Sequence, residues 1–262
     1  MVFNPLGDSL ALIWDLVAVF ISLVLVMLVV LINAVIQKSG KLDQVITRKI
    51  VHIFAGPVYI LSWLLFSGAI FSRFIAIIVP GFFILAFVLI GTGKMVNENL
   101  VASMSRTGDP KELLGGTLHY AIIMLIISIL WFYYPANPSS LIIMGCLAGG
   151  DGLADIIGRK YGGEKKFGIG GSQKTLIGSI GMFVGSFLTC IILTAIFLIE
   201  IAEFNLATLI LPILIISIVA TIVEALSPKG YDNWLIFISV IIMITIFWLV
   251  IPEWWPYNYF AF

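Results

Sequence analysis

Two aspartates four residues apart, Asp151 and Asp155, stand near the end of an apolar run, and a loop dense in glycine and lysine follows them. The stretch reads Gly-Asp151-Gly152-Leu-Ala-Asp155-Ile-Ile-Gly-Arg159-Lys160, then Glu164-Lys165-Lys166, then Gly168-Ile-Gly-Gly-Ser172-Gln173-Lys174-Thr175-Leu-Ile-Gly178-Ser179. Residues i and i+4 share a helix face, so both carboxylates project the same way. At about 1.5 Å per residue, Asp151 falls roughly 10 Å and Asp155 roughly 5 Å inside the end of the run. An aspartate near the middle of a membrane helix costs on the order of 2.5–3.5 kcal/mol, and ionisable residues there usually mark function. Paired carboxylates completed by phosphate oxygens are how Mg2+ is commonly held. An Asp155–Arg159 ion pair at i,i+4 accounts for one acid without any function and leaves the deeper one unexplained. Gly149, Gly150 and Gly152 clear side chains from around Asp151, which suits the close approach of a ligand.

The glycine-rich loop comes within one residue of P-loop spacing. Gln173 stands where a glycine is required and no strand precedes it, so a P-loop fold is excluded. Locally the physics still favours an anion: exposed backbone N–H groups, a helix N-terminus and the charge of Lys174 at its mouth. For Lys165 and Lys166, contact with anionic lipid is the preferred reading. Arg48-Lys49-Ile-Val-His52 opens another apolar run, and His52 serves either as a base for a hydroxyl or as an interfacial histidine bonded to a carbonyl. His119 has a weaker claim. Glu224 is an acid in apolar surroundings, able to hold metal or accept a proton. Asp232 or Asn233 reads as an ordinary N-cap. Asp109-Pro110-Lys111-Glu112 reads as an N-cap, a Pro at the first helical position and a capping box, which competes with a role in the site.

The elements that must position these residues are membrane helices. Of 262 residues, 61% are hydrophobic and 11% charged, where a soluble domain carries about 25% charged residues. Runs of roughly 20 apolar residues can cross a hydrocarbon core about 30 Å thick. The pattern predicts an all-α bundle of eight spans near 10–36, 50–66, 70–91, 116–134, 140–158, 175–199, 206–226 and 233–251, in one domain without internal repeats. A short helix is expected within 93–105. Thirteen of the fourteen Lys and Arg residues fall in the connections on one side, Lys41 among them, leaving Arg73 alone on the other. The positive-inside rule makes that side cytoplasmic and puts both termini outside. Met1 to Asp8 carries no Lys or Arg, so the first run is expected to stay as a span rather than act as a cleaved signal. The Trp- and Tyr-rich tail after Pro252 fits an interfacial belt. Cys146 and Cys190 match no metal or redox spacing and read as packing residues. The net charge of zero and the lack of a basic stripe give no nucleic-acid partner.

In chain order, Arg48-Lys-x-x-His52, Arg106-x-Gly-Asp109 with Glu112-Leu-Leu, Gly-Asp151-Gly-x-Ala-Asp155-x-x-Gly158-Arg159, Lys174-Thr-x-x-Gly178-Ser179, and Glu224 with Asp232-Asn233 resemble the polyprenol kinase family. That family includes phytol, farnesol and dolichol kinases and the CTP-dependent diacylglycerol kinases, and the resemblance covers about residues 48–240. It implies phosphorylation of a membrane-embedded isoprenoid alcohol by a nucleoside triphosphate, usually CTP, with a divalent cation such as Mg2+. It implies further that Asp151 and Asp155 hold the metal, and that Lys174 and Arg159 clamp phosphates, with Arg48 and Arg106 behind them. Gly152, Gly178, Ser179 and Asn233 fall inside the same motifs as nucleotide-site positions, and His52, Glu224 or an aspartate takes the proton. The metal and lysine motifs are also distantly similar to phosphatidate cytidylyltransferases, which leaves a cytidylyltransferase as the enzymatic alternative. A transporter is the alternative of another class, although transporter sites lie near the midplane between repeats. The alcohol, the donor base and the oligomeric state are not legible.

Overall fold

The computed structural model describes residues 3–40, 42–132, 137–199, 201 and 204–260. Lys41, the first two residues and the predicted end of the fourth span at 133–134 lie outside the described residues. Among the described residues, eight helices are long and apolar enough to cross a membrane: 8–38, 45–65, 72–91, 110–130, 139–161, 176–197, 206–225 and 232–250. Every predicted span is present with its edges moved, the fourth most of all, and the chain is a multi-pass membrane protein. No β-strand occurs among the described residues; one isolated antiparallel bridge joins Phe167 to Lys174. The chain forms two compact units, 2–129 and 130–262.

The first unit is built on α1 (Ala11–Lys38), whose buried residues Ala11, Asp15, Ala18, Ser22, Val26, Val30 and Asn33 recur at helical spacing. This face packs on α2 (Gln44–Ser62) and on the short helix α5 (Glu98–Met104), the element expected within 93–105. Asp43 caps α2 by accepting the Val45 amide at 3.1 Å. The third span is two helices, α3 (Ser72–Ala76) and α4 (Ile78–Gly91). Pro80 lacks the N–H that would bond the Ala76 carbonyl. The buried Tyr59 hydroxyl donates to that carbonyl instead at 3.0 Å, meeting the bilayer's demand that freed backbone groups find a partner. The end of this unit remote from the cationic connections is richer in charge than the sequence suggests. Asp15 is fully buried and accepts the Ser67 amide at 2.7 Å and the Ser72 hydroxyl at 2.5 Å. Arg73 is buried too and donates to the Ile129 carbonyl at 3.3 Å. The unit closes with α6 (Gly116–Leu130).

The second unit surrounds the fifth span, which runs as α7 (Ser139–Met144), a π-helical segment (Gly145–Gly150) and α8 (Asp151–Tyr161). Around it stand α9 (Leu176–Phe197), α10 (Leu206–Ala225) and α11 (Asp232–Val250). The contacts run from α9 to the π segment and α8, from α10 to α9, and from α11 to α10. The aromatic tail packs back on this unit rather than lying free. Trp255 is fully buried, and the Tyr259 carbonyl accepts Trp131 Nε1 at 2.7 Å and Asn137 Nδ2 at 3.0 Å. Cys146 and Cys190 are buried free thiols with Sγ atoms 4.0 Å apart, in keeping with packing residues.

Candidate functional site

Asp151 owes its place to two features of the fifth span. The π segment ends directly before it, and each residue added to a helix rotates the remainder of that helix by about 100°. The second feature is a seam of glycines. A Cβ on Gly149 would meet the Gly185 carbonyl at 2.7 Å, one on Gly181 the Leu153 carbonyl at 3.1 Å, and one on Gly158 the Cα of Gly178 at 3.2 Å. The α8 and α9 backbones therefore touch, which only residues without side chains permit. The space beside Gly149 and Gly150 is filled by Thr189, Ser186 and Met182 of α9, so these glycines admit a helix rather than a ligand.

Four charged side chains meet at the end of this unit. Asp151 is 4% exposed and Glu224, near the end of α10, is 2% exposed. The Lys174 ammonium is bonded to Glu224 Oε1 and lies 3.8 Å from Asp232 Oδ2. Lys174 is held by its own loop: Phe167 and Lys174 exchange backbone hydrogen bonds of 3.0 and 2.7 Å. The next residue, Thr175, caps α9 by accepting the Gly178 amide at 3.1 Å. Burial works against the charge on Lys174, but the carboxylates of Glu224, Asp151 and Asp232 outweigh it and raise the lysine above its ordinary range. Three carboxyl groups thus act on one ammonium.

The remaining predicted residues of this unit have surroundings of their own. Asp155 forms the i,i+4 pair with Arg159, Nε to Oδ1 at 2.6 Å, and the arginine is half exposed. Gly152 is buried next to Asp151 in α8. Gly178 lies in the α8–α9 contact with its amide engaged, and the Ser179 hydroxyl is buried without a protein partner among the described residues. The expected N-cap before α11 is not formed. The cap position is Tyr231, without a side-chain bond, and Asp232 is the first helical residue. Its carboxylate accepts the amide of the buried Asn233 at 3.1 Å and faces Lys174. Asp232 therefore joins the charged cluster, and its signal, a polar Tyr-Asp-Asn step one loop after Glu224, reads equally well as a cap. Among the described residues no three His, Cys, Asp or Glu side chains close on one point as a metal cage. A divalent cation fits the charge of this cluster only with phosphate oxygens completing its shell.

The motif residues of the first unit are organised among themselves. Glu112 accepts the Arg106 amide and, at 3.1 Å, the Thr107 hydroxyl, and Arg48 acts on it electrostatically. The capping box is therefore not closed: Asp109 caps by accepting the Lys111 amide at 2.9 Å, while Glu112 reaches past it. Gly108, at φ +84°, makes the turn and donates to Ser105 Oγ at 2.7 Å. Arg106 is exposed. The His52 ring lies against Tyr120 with centroids 4.2 Å apart, and the Tyr120 hydroxyl donates to the His52 carbonyl at 3.1 Å. Tyr120, beside His119 on α6, is a partner the sequence did not single out.

No family model matches the chain, and no solved structure matches it. Curated proteins do. The chain is 41% identical over 157 residues to "Probable phytol kinase 2, chloroplastic" of Oryza sativa subsp. japonica, covering 60% of this chain and 50% of that protein. It is 38% identical over 195 residues to "Farnesol kinase, chloroplastic" of Arabidopsis thaliana, covering 73% and 61%. It is 34% identical over 192 residues to "Phytol kinase 1, chloroplastic" of the same plant, covering 73% and 62%. The chain thus spans between 50% and 62% of the length of these relatives. These identities, to relatives named phytol and farnesol kinases, support the phytol and farnesol kinase family for this chain.

Proposed function

We propose that this protein is a lipid-alcohol kinase that transfers the γ-phosphoryl group of a nucleoside triphosphate, CTP by the family resemblance, to an isoprenoid alcohol in the bilayer. The names of the relatives suggest phytol or farnesol as the acceptor. The observation that carries the reading is the meeting of Asp151, Lys174, Glu224 and Asp232 at the end of the second unit. In the reaction the alcohol oxygen bonds to the γ-phosphorus, the bond to the β–γ bridging oxygen breaks, and the nucleoside diphosphate leaves. Little covalent work falls to the protein, so positioning and charge dominate.

Lys174 has three N–H donors and spends one on Glu224, which leaves others for phosphate. Asp151 and Asp155 are the proposed holders of Mg2+, and the gathering of acidic side chains around Lys174 supports a cation bound with phosphate there. When bound, the cation neutralises charge on the phosphate oxygens. Arg159, Gly152, Gly178, Ser179 and Asn233 are proposed nucleotide contacts in the same unit. Arg48 and Arg106 are proposed phosphate contacts on the strength of the resemblance. The hydroxyl proton goes to His52 or to a carboxylate such as Glu224. The cationic connections suggest that the site faces the cytoplasm, with both termini on the other side. Membranes incubated with γ-labelled CTP and farnesol or phytol test the reading. Label in the lipid product is expected. Label released only as pyrophosphate would replace it with cytidylyl transfer, and uptake of the alcohol without a phosphorylated product would replace it with transport.

A further inference from the structure

The connection 162–175 has two faces the kinase reading does not use. It joins a span ending at Tyr161 to one beginning at Leu176, so both of its ends are fixed at one membrane surface. Between them it carries Lys165 and Lys166 against the single acid Glu164, with Lys160 and Arg159 just before. Large apolar side chains stand exposed beside these cations: Tyr161 at 62%, Phe167 at 42% and Ile169 at 55%. A soluble loop with this composition has no reason to hold them in water. At a bilayer surface, aromatic and aliphatic groups enter the headgroup boundary while lysines meet lipid phosphates.

The connection is also a built hairpin. Phe167 pairs with Lys174, and Ser172 Oγ both accepts the Ile169 amide at 3.1 Å and donates to its carbonyl at 2.9 Å. The tip rests on the loop between α10 and α11. The Gly170 carbonyl accepts the Lys229 amide at 3.4 Å, and a Cβ on Gly170, which sits at φ +57°, would meet Pro228 Cβ at 2.8 Å. Movement of the tip therefore reaches Lys174 at its base and the segment bearing Glu224 and Asp232 at its side.

We infer that the hairpin 162–173 is a docking site for an anionic phospholipid surface: Phe167 and Ile169 enter the headgroup boundary, Lys165 and Lys166 contact lipid phosphates, and docking steadies Lys174 against Glu224. The docking itself does not depend on the kinase reading; only its consequence for turnover rests on it. Hydrogen–deuterium exchange of the full chain tests it in nanodiscs of phosphatidylcholine alone and of phosphatidylcholine with phosphatidylglycerol. Amides of 163–172 are expected to exchange about fivefold more slowly, or slower still, in the anionic discs. The F167S/I169S and K165Q/K166Q variants should each lose most of that slowing, with exchange in the spans unchanged as the sign of an intact fold. Equal hairpin rates in the two discs would overturn the inference. So would slowing that needs added CTP and Mg2+ and ignores the lipid, which would make nucleotide the occupant. Because exchange reads docking directly, it does so whether or not any alcohol is phosphorylated.

Discussion

Lys174 balances the acids of the second unit, and its ammonium is the hinge of the local electrostatics. Its side chain is 18% exposed and that of Glu224 3%, so the pair is a buried one. Removing one partner of such a pair leaves an uncompensated charge and costs about 3–5 kcal/mol. Lys174→Met should therefore lower the unfolding midpoint in detergent sharply, and the K174M/E224Q double variant should recover part of the loss. Both should be inactive if Lys174 contacts phosphate. The pH dependence has a definite sign. Neighbouring carboxylates raise the folded lysine above its ordinary 10.5, so the pair's contribution is fully present below that value and is lost as pH rises through the raised one. The gap in midpoint between wild type and K174M should stay constant from about pH 7 to about pH 9.5, then close in more alkaline buffer. Asp151 and Glu224 stood out as candidates because charge in an apolar run has few innocent explanations, and Lys174 because it stands at a helix mouth after a glycine-rich loop. Asp232 was not, because an acid at the start of a helix has an innocent explanation ready.

At the scale of elements, the contact between α8 and α9 sets where Asp151 stands. A Cβ on Gly185 would meet the Gly149 carbonyl carbon at 2.9 Å and Leu153 Cδ1 at 3.1 Å. Gly185→Val should therefore destabilise the protein by about 1–3 kcal/mol through overpacking and lower activity by displacing α8. Gly81→Ala is the control: nothing lies within 4 Å of its Cβ position, so stability should not fall. Thermal unfolding of the two variants in one detergent decides the matter. The glycines around Asp151 were visible in the sequence, but their use was not, since a glycine that admits a ligand and one that admits a helix look alike. The π turn at Gly145–Gly150 was also hidden, because an extra residue per turn leaves no mark on hydrophobic patterning. Glu112 shows the same limit: Asp-Pro-x-Glu predicts a capping box, yet the carboxylate turns to the Arg106 amide, drawn by a loop that closes around Gly108.

For the whole molecule, the eight spans were readable because each apolar run is long enough to cross a bilayer and is bounded by charge, by proline or, between the second and third, by a Ser67-Gly68 break. The division at Ile129–Leu130 falls at the last residue of α6, where apolar patterning gives no boundary. Asp15 went unread for a related reason. One acid in a 28-residue helix does not alter the span, and its partners Ser67 and Ser72 come from a different part of the chain. The central claim is that the cluster around Asp151 and Lys174 performs phosphoryl transfer. Its most direct test is Asp151→Asn in liposomes supplied with γ-labelled CTP, Mg2+ and farnesol or phytol. Label transfer to lipid should fall by about 100-fold or more, with the unfolding curve in detergent retained. Transfer within about twofold of wild type, well short of one factor of ten in barrier terms, would contradict the account.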